Sequence, residues 1–150
     1  MLRFIYILII GLFLGVFINS PSFALQSEWS LGNEAKIRII SPYTNNNNIS
    51  EFYLGLEYQL EDGWKTYWKA PGEGGFPQTL DWKKSINISS LEILWPTPEE
   101  FEILGIKSIG YKNEVIFPLK LNILDLNKET FFSFDVNFLI CKDICIPGKA

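Results

Sequence analysis

Near the end of this 150-residue chain two cysteines stand with three residues between them, in Cys141-Lys142-Asp143-Ile144-Cys145. They are the only cysteines; histidine is absent, and the single methionine is Met1. This inventory excludes Ser-His-Asp and Cys-His catalysis, imidazole-held metals, thioether copper sites, and any four-ligand zinc or iron–sulfur site. The chemistry left to the pair is that of sulfur: thiol–disulfide exchange, or a small structural clip. In extended chain the two Cα atoms would lie about 13 Å apart. A disulfide needs less than about 7 Å, so residues 142–144 must bend back for a bond to form. So small a ring removes little entropy from the unfolded chain, and a staple more usually joins distant strands. A bond built to open and close fits the spacing, and so does a clip. Free buried thiols suit an oxidising compartment poorly, and two cysteines hold a metal such as copper(I) only if a partner adds ligands.

With no histidine, a reactive thiolate here must lean on Lys142, on backbone N–H groups or on a docked partner. Glu102 and Asp143 would oppose it. The expectation is a slow resting thiol that reacts once docked.

The rest of the chain must position the pair. Residues 1–24 carry one positive charge at Arg3 and an apolar run from Phe4 to Ile18, then turn small and polar through Pro21-Ser22-Phe23-Ala24. This is the pattern of a cleaved secretory signal, and it predicts export of a domain spanning residues 25–150. A net charge of −4 argues against a nucleic-acid partner.

Within the domain, hydrophobic alternation dominates. Ala35, Ile37, Ile39 and Ser41 share one strand face. Phe52, Leu54, Leu56, Tyr58 and Leu60 share another, and Asp62-Gly63 predicts a hairpin returning through residues 64–69. Pro71-Gly-Glu-Gly-Gly-Phe-Pro77 lacks the Gly-Lys-Ser/Thr and helix that a phosphate cradle requires, so it is a loop. Short strands are expected at 79–82, 86–89 and 91–95, then a connecting segment over 99–110 with the apolar tip Ile103-Leu104-Gly105-Ile106. A strand follows through Val115, Phe117, Leu119, Leu121 and Ile123, where Pro118 implies an edge or a bulge. A last strand runs from Phe132 to Ile140; its parity puts Cys141 on the polar face of Ser133, Asp135 and Asn137, and therefore accessible. Many short strands without βα alternation predict an all-β, immunoglobulin-like antiparallel β-sandwich. Trp64, Tyr67, Trp68, Phe76 and Trp82 read mostly as sandwich core, with any exposed members available for docking.

Several motifs, in order, resemble the periplasmic N-terminal domain of the thiol:disulfide interchange protein DsbD and its suppressor-of-copper-sensitivity relatives. They are Gly63-Trp64-Lys65-Thr66-Tyr67-Trp68, the 71–77 loop, Leu80-Asp81-Trp82, Leu94-Trp95-Pro96-Thr97-Pro98-Glu99, Ser108-Ile109-Gly110-Tyr111-Lys112, Val115-Ile116-Phe117-Pro118-Leu119 and Cys141 through Pro147. The resemblance implies an immunoglobulin-like domain that needs no cofactor or metal and shuttles electrons. A membrane-embedded donor domain would supply it through a thioredoxin-like domain. It would in turn reduce periplasmic partners such as a disulfide isomerase or a reductant serving cytochrome c biogenesis. Carried over by position, Cys145 attacks and Cys141 resolves. Ile103, Leu104, Gly105 and Ile106 correspond to a cap loop, and Tyr67 and Glu102 to an aromatic and a carboxylate beside the cysteines. The three-residue spacing and the aliphatic cap tip depart from the best-known members. The end at Ala150 is read as a truncation before a final strand and any membrane domain. The competing functions are a non-catalytic exported binding module with a structural disulfide, and a copper(I)-related thiol protein.

Overall fold

The computed structural model describes residues 25–30, 32–43 and 49–150; the signal pattern of residues 1–24 lies outside them. The strands are β1 (Leu25–Gln26), β2 (Ala35–Ser41), β3 (Glu51–Leu60), β4 (Lys65–Gly72), β5 (Thr79–Asp81), β6 (Ile88–Ile93), β7 (Glu99–Ile103), β8 (Ile106–Lys112), β9 (Glu114–Ile123), β10 (Asp135–Cys141) and β11 (Cys145–Lys149). They form two antiparallel sheets, ordered β1-β2-β3-β9-β6 and β11-β10-β4-β8-β7, with β5 alongside β10. The protein is the immunoglobulin-like β-sandwich that its alternation predicts.

The inward residues of β2, β3 and β9 fill the space between the sheets, and Tyr111, Val136 and Ile140 meet them from the second sheet. Phe117 is fully buried and edge-on to Tyr58, Tyr111 and Trp95, at centroid distances of 5.4, 5.1 and 5.3 Å. Contact with Tyr58 of one sheet and Tyr111 of the other makes this ring the bolt between the layers.

Four expectations are corrected. Asp62-Gly63 does turn the chain, with Trp64 N–H donating to Glu61 O at 3.0 Å, but it joins two sheets instead of closing a hairpin. Both edges of β3 are already taken, by β2 and by β9, so β4 must pair elsewhere. Pro118 lies on an interior strand. Its carbonyl accepts from Leu94 N–H at 2.8 Å, one residue past the end of β6, so its missing N–H falls where the ladder stops. The 99–110 segment is a β7–β8 hairpin, closed in register from Glu99↔Gly110 to Ile103↔Ile106. The two short strands expected at 86–89 and 91–95 merge into β6, with an irregularity between Ile88 and Ser90.

Candidate redox site

Alternation along β4 sends Trp64, Thr66 and Trp68 towards the core, and Lys65 and Tyr67 to the outer face of the second sheet. On β10, Ile140 points inward and Cys141 outward. The predicted parity of Cys141 is therefore right, but its accessibility is not: Cys141 is 0% exposed. The β7–β8 hairpin covers that face, and Phe101 and Ile103 pack with Tyr67 and Cys141 into a second, smaller apolar cluster.

Cys141 and Cys145 are cross-strand partners in the β10–β11 pairing, and residues 142–144 make the reversal between them. Inside that reversal Lys142 N–H donates to Ile144 O at 3.0 Å. The two Cα atoms stand 4.1 Å apart and the sulfurs are bonded. Cys145 is exposed, as is Ile144 beside it. From solvent the bond is therefore reached on its Cys145 side, Cys141 being wholly buried.

Tyr67 reaches diagonally across the sheet, and its hydroxyl donates to Cys141 Sγ at 2.9 Å while standing 4.0 Å from Cys145 Sγ. Burial pushes the phenol above its ordinary value, so the proton stays on oxygen and the group acts as a donor. The Tyr67 ring lies against Phe101 at a centroid distance of 6.0 Å.

Of the remaining predicted site residues, Ile103 is buried against the pair, whereas Leu104 and Ile106 are exposed at the hairpin tip. The turn there has both Leu104 (φ 54°) and Gly105 (φ 80°) in the left-handed region. Glu102 is not brought to the sulfurs. It lies opposite Lys107 in the hairpin, and alternation turns it away from the side of Phe101 and Ile103. Lys142 is tied down elsewhere: its ammonium donates to Asp62 O at 3.0 Å.

Sequence reasoning passed over Lys65, the cross-strand partner of Cys141, whose ammonium donates to Gly63 O at 2.9 Å. It also passed over Phe101, and it read residues 71–77 as a loop without placing that loop beside the pair. For Phe101 a signal was present, in the i, i+2 alternation of Phe101 and Ile103 ahead of a Leu-Gly turn.

A β-sandwich with a disulfide at a strand end, one cysteine exposed and the other buried under a phenol, suits thiol:disulfide interchange. Comparison with known proteins agrees. Residues 38–150 match the family described as thiol:disulfide interchange protein DsbD, N-terminal, and the chain belongs to it. Among solved structures it is similar to the N-terminal periplasmic domain of ScsB from Proteus mirabilis, with 28% identity and a TM-score of 0.65. That match covers 85% of this chain and 50% of the other, so this chain spans about half the length of that relative. No curated protein matches.

Proposed function

We propose that this domain works in the periplasm and passes reducing equivalents through Cys141 and Cys145 to thiol–disulfide partner proteins, thioredoxin-like proteins or a disulfide isomerase among them. A membrane-embedded donor would reload it. The observation that carries this reading is the asymmetry of the bond, with Cys145 exposed and Cys141 wholly buried.

In loading, a donor thiolate attacks Cys145 Sγ and the Cys141–Cys145 bond breaks. The electron pair leaves on Cys141 Sγ, beneath the Tyr67 hydroxyl. The donor's second thiolate then attacks its own sulfur in the mixed disulfide, releasing Cys145 as thiolate and the donor as a disulfide. In delivery the roles reverse. The Cys145 thiolate attacks a client disulfide, and Cys141 attacks Cys145 Sγ to restore the intramolecular bond. Two electrons, and the two protons taken up by its thiolates, leave with the reduced client. The cap hairpin over Cys141, with Ile103 packed on the site, keeps solvent thiols from the buried sulfur.

The test is a trap. Cys141→Ala leaves Cys145 without its resolving partner, so exported chain carrying it should accumulate reductant-sensitive mixed disulfides with periplasmic proteins. If none forms beyond the level of Cys141→Ala/Cys145→Ala, the exchange function fails. Severe loss of thermal stability in Cys141→Ser/Cys145→Ser, with no adducts, would identify a structural clip.

A further inference from the structure

The 72–77 loop is rich in glycine and holds no phosphate motif, and its position gives another reason for that composition. We infer that this loop positions the redox site and that Gly75 is the residue through which it acts. The inference rests on the exchange chemistry proposed above and deepens it.

Gly75 has a φ of 98° and lies directly on the Tyr67 ring: a Cβ added there would overlap Cε1, Cδ1 and Cζ. No L side chain fits while the ring stays in place. The loop is anchored in turn. Gly72 is in register with Ser108, beyond the irregularity that follows Tyr67 on β4. Ser108 is buried and its hydroxyl donates to Gly74 O at 3.3 Å. A Cβ on Gly74 would stand 3.0 Å from Ile106 Cγ2, so the loop also leans on the cap hairpin.

The Tyr67 ring is therefore held between the Gly75 backbone and Phe101. Confinement matters because a hydrogen bond weakens steeply with distance and angle, and the phenol must meet Cys141 Sγ when charge arrives there. A ring free to swing by an ångström would lose the 2.9 Å contact. The atoms nearest a side chain at Gly75 all belong to the Tyr67 ring. Gly75 is a positioning residue, and Tyr67 is the group it positions.

A double-substitution cycle tests this. The readout is the rate at which dithiothreitol reduces the Cys141–Cys145 bond in the purified chain, at fixed pH, with thermal unfolding as the check on folding. Gly75→Ala should slow reduction about as much as Tyr67→Phe, roughly two- to tenfold, the range for weakening a hydrogen bond to a developing thiolate. In a Tyr67→Phe background, Gly75→Ala should add less than about a further factor of two. A wild-type rate for Gly75→Ala, or an equal slowing in both backgrounds, overturns the inference. Should Gly75→Ala fail to fold, Ser108→Ala removes the loop's anchor without adding atoms. It should slow reduction in the same direction and be silent with Tyr67→Phe; a wild-type rate there overturns the inference instead. Dithiothreitol replaces the protein partner, so a failed cycle refutes the positioning role alone, and an empty Cys141→Ala trap refutes the exchange function alone.

Discussion

Tyr67→Phe isolates one hydrogen bond. The ring remains to pack on Phe101 and Gly75, and only the O–H donated to Cys141 Sγ at 2.9 Å is lost. In the oxidised ground state that bond goes to a neutral sulfur and is worth about 0.5 kcal/mol, whereas a bond to a full thiolate is worth about 1.5–3 kcal/mol. The difference, about 1–2.5 kcal/mol, is what the phenol supplies as Cys141 becomes the leaving group. With roughly half the charge developed at the transition state, about 0.5–1.2 kcal/mol of barrier is at stake. At 1.36 kcal/mol per decade that is roughly a two- to tenfold slower reduction by dithiothreitol. In the reduced protein the same loss should move the Cys141 thiol's titration upward, because its thiolate loses a donor, read from ultraviolet thiolate absorbance against pH. Burial holds the Tyr67 proton in place, so the wild-type donor persists where ordinary thiols titrate. The melting temperature should hardly move. An unchanged rate with an unchanged thiol titration would refute the leaving-group role.

The cap tip and the core give two further expectations. Leu104 is 72% exposed and holds a left-handed φ of 54° that disfavours its side chain. Leu104→Asn should therefore stabilise the domain by about 0.5–1 kcal/mol in urea unfolding while slowing exchange with protein partners but not with dithiothreitol. Tyr58 is fully buried, and its hydroxyl has no partner among the described residues, so Tyr58→Phe should raise stability by about 1 kcal/mol. Burial raises Tyr58, Tyr67 and Tyr111, the last to about 12. Above pH 10 the unfolded chain releases protons that the folded one keeps. Stability is thus fully present below pH 10 and falls as pH climbs towards 12, and Tyr58→Phe should shallow that fall. A flat alkaline profile in the wild type would falsify the account.

What could be read from the sequence was whatever depends on period. The inward faces of β2, β3 and β9 follow from two-residue alternation alone, and the outward parity of Cys141 follows from Ile140. Burial of an outward residue is a different matter, because it depends on what covers the sheet. Cys141 is covered by Phe101 and Ile103, some forty residues earlier in the chain, which reach it only because β8 pairs with β4. Sheet membership was likewise illegible at Asp62-Gly63: the turn is written locally, but whether β4 stays with β3 depends on β2 and β9 having filled both of its edges. Gly75 shows the same limit. One sequence displays a glycine among turn formers, and the ring that demands it belongs to a residue eight positions earlier.

A carrier domain must change its sulfur chemistry without changing its fold, and the placement of the pair meets that requirement. The Cys141–Cys145 ring is so short that its loss returns only about 2 kcal/mol of chain entropy to the unfolded state, even on the full loop-closure estimate. The other four register pairs of β10 and β11, from Asn137↔Lys149 to Ile140↔Ile146, are held by the backbone ladder and do not involve sulfur. The reversal itself keeps two ties that do not involve sulfur: the bond from Lys142 N–H to Ile144 O, and the Lys142 ammonium on Asp62 O. The packing of Cys141 against Tyr67, Phe101 and Ile103 is likewise apolar contact that does not require the sulfur–sulfur bond. The oxidised and reduced forms can therefore share one backbone. The free energy of the disulfide then reports the chemistry at Cys145 and beneath Tyr67, and not the folding of the sandwich.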